Sequence, residues 1–212
     1  MHFEEINQFL KKIPDTVNWF DWCFLATIII GAKVGRKHGL TAELGTCLQW
    51  AAIVAAGSFL YRPMGNAIVN GWHFSPLFSY TFSYISIGLI VAYLFSVIMK
   101  GAGGKFITAE KISGNSDCNL GMIAGTVRFL CILVAILAVM NAREYTAQEV
   151  QQAKNYQKQN FDSEFFPTFS SIQAQVFKQS FMGKLVKKRT PFLLISSTRP
   201  VSSKPQLKEY SL

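Results

Sequence analysis

The chain has 212 residues, half of them hydrophobic and only 16% charged, and it carries a net charge of +9. So small a charged fraction is unusual for a soluble domain, which makes a lipid bilayer the first environment to consider. The positive charge does not favour nucleic acid as a partner, because the basic residues flank apolar stretches and fill a polar tail.

Residues 1–18 carry apolar side chains at helical spacing before Pro14. This pattern predicts an amphipathic helix that lies along the membrane interface. Glu4 and Glu5, together with the lack of a small-residue cleavage site before Asp21, argue against a cleavable signal peptide. We therefore expect this segment to remain on the protein.

Four apolar stretches follow within residues 19–141, and a helix needs about 20 such residues to cross the hydrocarbon core. The first stretch is the shortest, with eleven uncharged residues. The third, with 26, is too long and too evenly apolar for the alternative, a buried helix of a soluble protein. We therefore predict an all-α integral membrane protein with four transmembrane helices. The stretches are bracketed by Asp21 and Lys33, Glu43 and Arg62, His73 and Lys100, and Leu120 and Met140.

The residues at the ends of these stretches indicate an orientation. In an antiparallel bundle, Trp19, Trp22, Tyr61 and Trp72 would share one interface as an aromatic belt, and two short basic loops would lie at the other. Cations in short loops remain in the cytoplasm, so both termini are predicted to lie outside it. Five cations spread over longer segments oppose this orientation: Lys11, Lys12, Arg62, Arg143 and Lys154.

The sequence GAKVGRKHGLTAEL, residues 31–44, separates the first two apolar stretches. Three cations, a histidine and three glycines lie within its first nine residues. We interpret it as a tight basic turn, in which Gly35 and Gly39 allow backbone angles that other residues disfavour.

After Asn141 the composition becomes polar and basic, with eleven lysines and arginines against five acids. Residues 142–196 are predicted to form an extramembrane helical region, whose first part could extend the fourth span. An apolar stripe over 168–188 indicates a helix that either packs on the membrane domain, lies on lipid headgroups or presents a solvated charged face. Residues 197–212, rich in serine, lysine and proline, are predicted to be disordered.

Four short sequences carry a family resemblance: NWFDW (18–22), GAKVGRKHGLTAEL (31–44), YRP (61–63) and SGNSDCNLGMIAGTVRF (113–129). Their order and their positions relative to the apolar stretches resemble the colicin V production protein (CvpA) family of bacterial inner-membrane proteins. Two positions depart from the family pattern, where Cys118 replaces an arginine and Phe129 a glycine. The residues that match the family motifs are Asp21, Gly35, Arg36, Gly39, Glu43, Asp117, Gly121, Gly125 and Arg128.

The resemblance implies a multi-pass protein of the inner membrane that supports toxin production or export and envelope homeostasis. In that membrane, the orientation predicted from the loop cations places both termini in the periplasm. Independently of any family, helical spacing places Gly121, Gly125 and Arg128 on one face of the fourth span. Small residues at this spacing let helices approach closely in lipid, although such pairs also arise by chance. The charges of Glu43 and Arg128 either pair with each other or separately reach headgroup water.

The third span carries a stripe of hydroxyl residues, Ser79, Ser83 and Ser86. Such a stripe could line a path for a solute. The alternative is that each hydroxyl bonds to a backbone carbonyl one helical turn back.

No nucleophile, base and orienting residue occur at a recognisable spacing, and no glycine loop follows a strand, so we expect no enzyme activity. The four cysteines and three histidines are scattered, so no metal or other cofactor is expected. The leading hypothesis is a non-enzymatic scaffold or accessory factor whose partners are the lipid bilayer and either a second copy of itself or an export machinery. The alternative is a small oligomeric channel or transporter.

Overall fold

A computed structural model describes residues 18–101, 115–161 and 168–198. The predicted interfacial helix of residues 1–18 and the predicted disordered tail of residues 197–212 lie outside these ranges, apart from Asn18, Ser197 and Thr198. Within the described ranges all regular structure is helical, and one isolated β-bridge joins Arg143 to Thr198. The all-α prediction is therefore confirmed for this part of the chain.

Among the described residues, three helices are long and apolar enough to cross a bilayer. These are α1 (Trp19–Trp72), α2 (Pro76–Gly101) and α3 (Asn115–Met140). The sequence predicts four spans, and the difference lies in α1, where two helices meet at Gly39. We call residues 19–38 the first arm of α1 and residues 40–72 its second arm.

Contacts along α3 show that the two arms of α1 run in opposite directions. Gly31 lies against Gly125, and Gly39 lies against Asp117, so the first arm is antiparallel to α3. At the other end of the molecule, Asp21 of the first arm and Tyr61 of the second both contact the carboxy-terminal region. The chain therefore folds back at Gly39. We call this end of the bundle the turn end, and the opposite one the tryptophan end.

Helix α2 packs antiparallel to the second arm. Small residues of that arm receive the aromatic rings of α2, since Gly57 lies beside Tyr84 and Gly65 beside Tyr80. The second arm does not end at Tyr61, as the sequence suggested, but continues through Pro63 to Trp72. The hairpin between α1 and α2 therefore extends beyond the tryptophan end of α3.

The carboxy-terminal region begins with a turn after Met140, so α3 is not extended by the next helix. Helix α4 (Ala147–Phe161) starts with a reciprocal cap, in which Thr146 and Glu149 bond to each other's backbone N–H groups. The N–H of Thr146 lowers the pKa of the Glu149 carboxyl, and Arg143 at 3.1 Å adds to this effect. The Thr146–Glu149 cap and the Arg143–Glu149 ion pair therefore both stabilise the first turn of α4.

Residues 168–188 do not form the single helix that their apolar stripe indicated. Helix α5 (Phe169–Ala174) runs into a π-helical turn (Gln175–Gln179), and Ser180 then interrupts the chain in an extended conformation. Helix α6 (Phe181–Arg189) follows, and a 3₁₀ turn (Pro191–Leu193) ends the region. Ser180 caps α6 by accepting the N–H of Gly183 at 2.8 Å.

One hydrophobic core joins the bundle to the carboxy-terminal region. Phe20, Tyr61 and Leu137 of the bundle belong to the same buried cluster as Val176 and Ile195. The inner face of the 168–188 segment therefore packs on the bundle, which is one of the placements left open by its sequence. The side chains that point away from the bundle are largely apolar on α1, α2 and α3.

Candidate functional site

Five glycines form a continuous line of contact between the first arm of α1 and α3. We call it the glycine seam, and its members are Gly31, Gly35, Gly39, Gly121 and Gly125. A methyl group on Gly35 would collide with the carbonyl oxygen of Gly121 and would lie 3.0 Å from Cα of Gly125. The two backbones therefore touch directly, as small residues at four-residue spacing permit in lipid.

Gly39 ends the first arm, and it is the seam glycine whose backbone conformation requires glycine. Its φ of 75° and ψ of 168° lie outside the range that other residues adopt readily. Gly35, by contrast, is helical, so its role is close packing and not the turn. A side chain at Gly39 would also collide with the carboxylate of Asp117.

Asp117 of α3 caps the second arm of α1. Its Oδ1 accepts the N–H of Leu40, the first residue after the break, at 3.0 Å. The first N–H groups of a helix lack intrahelical partners and carry a partial positive charge, which a carboxylate stabilises. This cap comes from a residue 77 positions away in the sequence.

Glu43 is buried between three elements at the turn end, with 1% of its surface exposed. Its Oε2 accepts Nη1 of Arg128 at 2.8 Å, and its Oε1 lies 2.8 Å from Nδ1 of His38. The structure thus shows the Glu43–Arg128 pair that the sequence left as one of two possibilities. The contact of His38 with Glu43 was not predicted from the sequence. The signal that could have indicated it is the position of His38 five residues before Glu43, on the other side of the turn at Gly39.

The guanidinium of Arg128 has a second neighbour. Its Cζ lies 5.3 Å from the ring centroid of Phe129, a distance typical of a cation–π contact. Its Nε is buried without a hydrogen-bond partner among the described residues. Phe129 stands where the family pattern has glycine, and here its ring lies beside the partly buried guanidinium.

Asp21 connects the start of α1 to the start of α6. Its Oδ2 accepts the N–H of Asn18 at 2.9 Å, which completes a capping box for α1. The same carboxylate accepts the N–H of Phe181 at 3.2 Å and that of Met182 at 2.8 Å. One acid therefore caps two helices that are 160 residues apart in the sequence.

The YRP sequence provides a further connection at the tryptophan end. The hydroxyl of Tyr61 accepts the N–H of Ser196 at 3.0 Å and Nε of Arg62 at 2.9 Å. Asn141 donates to the carbonyl of Ile195 at 2.9 Å. Neither Tyr61 nor Asn141 was predicted from the sequence to anchor the carboxy-terminal region.

The remaining predicted residues lie apart from these contacts. The side chain of Arg36 is exposed and forms no hydrogen bond or ion pair with the described residues. Ser79 is fully buried, and its hydroxyl donates to the carbonyl of Ser75, one helical turn back, at 3.1 Å. Ser83 is equally buried, and its hydroxyl has no hydrogen-bond partner among the described residues. Ser86 is half-buried.

Neither metal nor disulfide chemistry is indicated by the described part of the chain. No group of three or more histidine, cysteine, aspartate or glutamate residues in it is arranged to hold a metal ion. All four cysteines are free thiols. What the motif residues form is a set of contacts between helices.

The arrangement can be compared with known proteins. No curated protein and no solved structure gives a match to the chain. A family model described as "Colicin V production protein" matches residues 20–174, which include both arms of α1, α2, α3, α4 and α5. This span contains the glycine seam and the acids Asp21, Glu43 and Asp117. The chain belongs to the colicin V production protein family.

Proposed function

We propose that this protein crosses the bacterial inner membrane four times and acts as a non-enzymatic scaffold or accessory factor in colicin V production or export and in envelope homeostasis. Family membership supports the connection to colicin V production. The resemblance of the motifs to those of inner-membrane proteins supports the location and the role in the envelope.

Four crossings are supported by the dimensions of the helices. The first arm of α1 has 20 residues, which span about 30 Å, the thickness of a hydrocarbon core. The second arm, α2 and α3 are each longer. Because the arms run in opposite directions, each would cross separately, and the turn at Gly39 would lie at one membrane surface.

The observation that carries the scaffold proposal is that all three motif acids connect separate elements. Asp21 joins α1 to α6, Asp117 joins α3 to the second arm, and Glu43 joins that arm to α3 and to the first arm. Acids used in this way are neutralised by donors within the fold. Their geometry supports a rigid framework that presents surfaces to partners.

Two measurements test this function together. In a colicin V-producing strain that lacks the protein, we expect secreted toxin activity to fall and a plasmid copy of the wild-type gene to restore it. The purified protein in liposomes should give no ion or solute flux above that of protein-free liposomes. Specific flux through liposomes that contain the protein alone would favour the channel or transporter and contradict the scaffold proposal. Unchanged toxin secretion in the strain that lacks the protein would contradict the role in production or export.

A further inference from the structure

Helix α6 and the turn that follows it carry an exposed surface that combines basic and apolar side chains. Phe181, Lys184, Leu185 and Lys188 follow the three- and four-residue spacing of a single helix face, and all four are exposed. The exposed fraction is 49% for Phe181 and 40% for Leu185. Together with Arg189 and with Phe192, which is 62% exposed, these residues form what we call the basic platform.

The outward direction of the platform is fixed by contacts on the opposite side of α6. Gly183 lies so close to the carbonyl of Val176 that a side chain there would collide with it. Val186 packs against the shared core, and the carboxylate of Asp21 holds the first N–H groups of the helix. The platform is therefore a preformed surface and not a face that becomes exposed by local unfolding.

The charges of this region are of one sign. Residues 168–198 contain four lysines and one arginine and no acid. Lys178 donates to the carbonyl of Tyr145, and Lys187 lies over the ring of Phe177. The side chains of the other three form no hydrogen bond or ion pair with the described residues: Lys184, Lys188 and Arg189. Cations in the last turn also complement the helix dipole, but this does not explain the apolar side chains between them.

The platform starts at the level where the first arm of α1 would enter the membrane. Asp21, which caps α6, lies in the sequence between Trp19 and Trp22, whose side chains are both exposed. Tryptophans concentrate at the boundary between headgroups and acyl chains. Helix α6 therefore lies at headgroup depth if α1 crosses the bilayer.

We propose that the basic platform binds the anionic phospholipid headgroups of the leaflet that contains Trp19 and Trp22. Lys184, Lys188 and Arg189 would contact lipid phosphates, while Phe181, Leu185 and Phe192 insert among the upper acyl carbons. Basic residues interleaved with large apolar ones are the pattern of helices that lie in the interface of anionic membranes. This inference goes beyond the proposed function, and it requires membrane insertion but not a role in toxin production.

The test uses the full-length protein with its four cysteines replaced and a bimane fluorophore on a cysteine at Leu185. The protein is reconstituted in phosphatidylcholine nanodiscs that contain brominated phosphatidylglycerol or, at the same mole fraction, brominated phosphatidylcholine. We expect the anionic lipid to quench the fluorophore at least about twofold more efficiently, because each cation near the surface attracts anionic lipid. Replacing Lys184, Lys188 and Arg189 with glutamine should bring the ratio close to one.

The matched control replaces three exposed cations of the turn end, Lys33→Gln, Arg36→Gln and Lys37→Gln, and should leave the quenching ratio unchanged. Equal quenching by the two lipids in the unsubstituted platform would overturn the proposal. Absence of quenching by both would also overturn it, because a protein segment or partner would then cover the platform instead of lipid.

Discussion

Glu43 illustrates how single residues determine the turn end of the bundle. A buried carboxylate is tolerated only when donors replace the water it has lost, and here Arg128 and His38 occupy its two oxygens. The pair with Arg128 links the second arm of α1 to α3 beside the glycine seam. Half of the His38 side chain is exposed, at 51%, so its bond to Glu43 is expected to contribute less.

Removing either member of the Glu43–Arg128 pair should destabilise the protein. We expect Glu43→Gln or Arg128→Gln alone to lower the free energy of unfolding by about 1 to 3 kcal/mol, because a partly buried hydrogen-bonded ion pair is broken. Exchanging the two charges should recover part of the loss. A double-mutant cycle measured by thermal unfolding in detergent would show this coupling, whereas a coupling energy of zero would mean that the two side chains act independently.

At the scale of the helices, the first arm of α1 and α3 can touch because the glycines of the seam have no side chains. Gly35→Ala should therefore cost about 1 to 3 kcal/mol, because the added methyl group collides with backbone that cannot move aside without separating the helices. Unfolding in detergent measures the cost.

Gly88→Ala is the matched control for the seam substitution. Gly88 also lies within a long apolar helix, but its methyl group would meet the side chain of Ile53 at 3.4 Å, an ordinary contact. Alanine also favours the helix by up to about 1 kcal/mol relative to glycine. Equal destabilisation by the two substitutions would show that close packing at the seam is not responsible.

The sequence predicted these helical contacts only in part, for physical reasons. Few charges occur in apolar stretches, so Glu43 and Arg128 were evident candidates for pairing, and glycine spacing indicated the face of α3 that packs. The bond from Asp21 to Met182 joins residues 161 positions apart, and local patterns contain no information about such separations. The break at Ser180 was missed because the apolar stripe continues across it.

For the whole molecule, the ends of the bundle differ in what they carry. The turn end has the cations of the last helical turns of the first arm, Lys33, Arg36 and Lys37, while the tryptophan end is covered by the carboxy-terminal region. If loop cations determine the orientation, the turn end faces the cytoplasm and the carboxy-terminal region the periplasm.

Two glycines at opposite ends of the bundle test this orientation. Gly71, near the end of α1, and Gly101, at the end of α2, both have open space where a side chain would point. In a cysteine-free background, Gly71→Cys should react with a membrane-impermeant thiol reagent in intact cells, and Gly101→Cys only after permeabilisation. Reaction of Gly101→Cys but not Gly71→Cys would invert the orientation.

The motif acids hold separate parts of this protein together, and amide hydrogen exchange in nanodiscs tests these connections most directly. Asp21→Ala should accelerate exchange at the first amides of α6 by about fivefold, since a helix cap contributes about 1 kcal/mol, and should leave Leu40 unchanged. Asp117→Ala should accelerate exchange near Leu40 and leave α6 unchanged. If neither substitution changed exchange at its partner helix, or if both changed the whole chain uniformly, the acids would not connect these elements specifically.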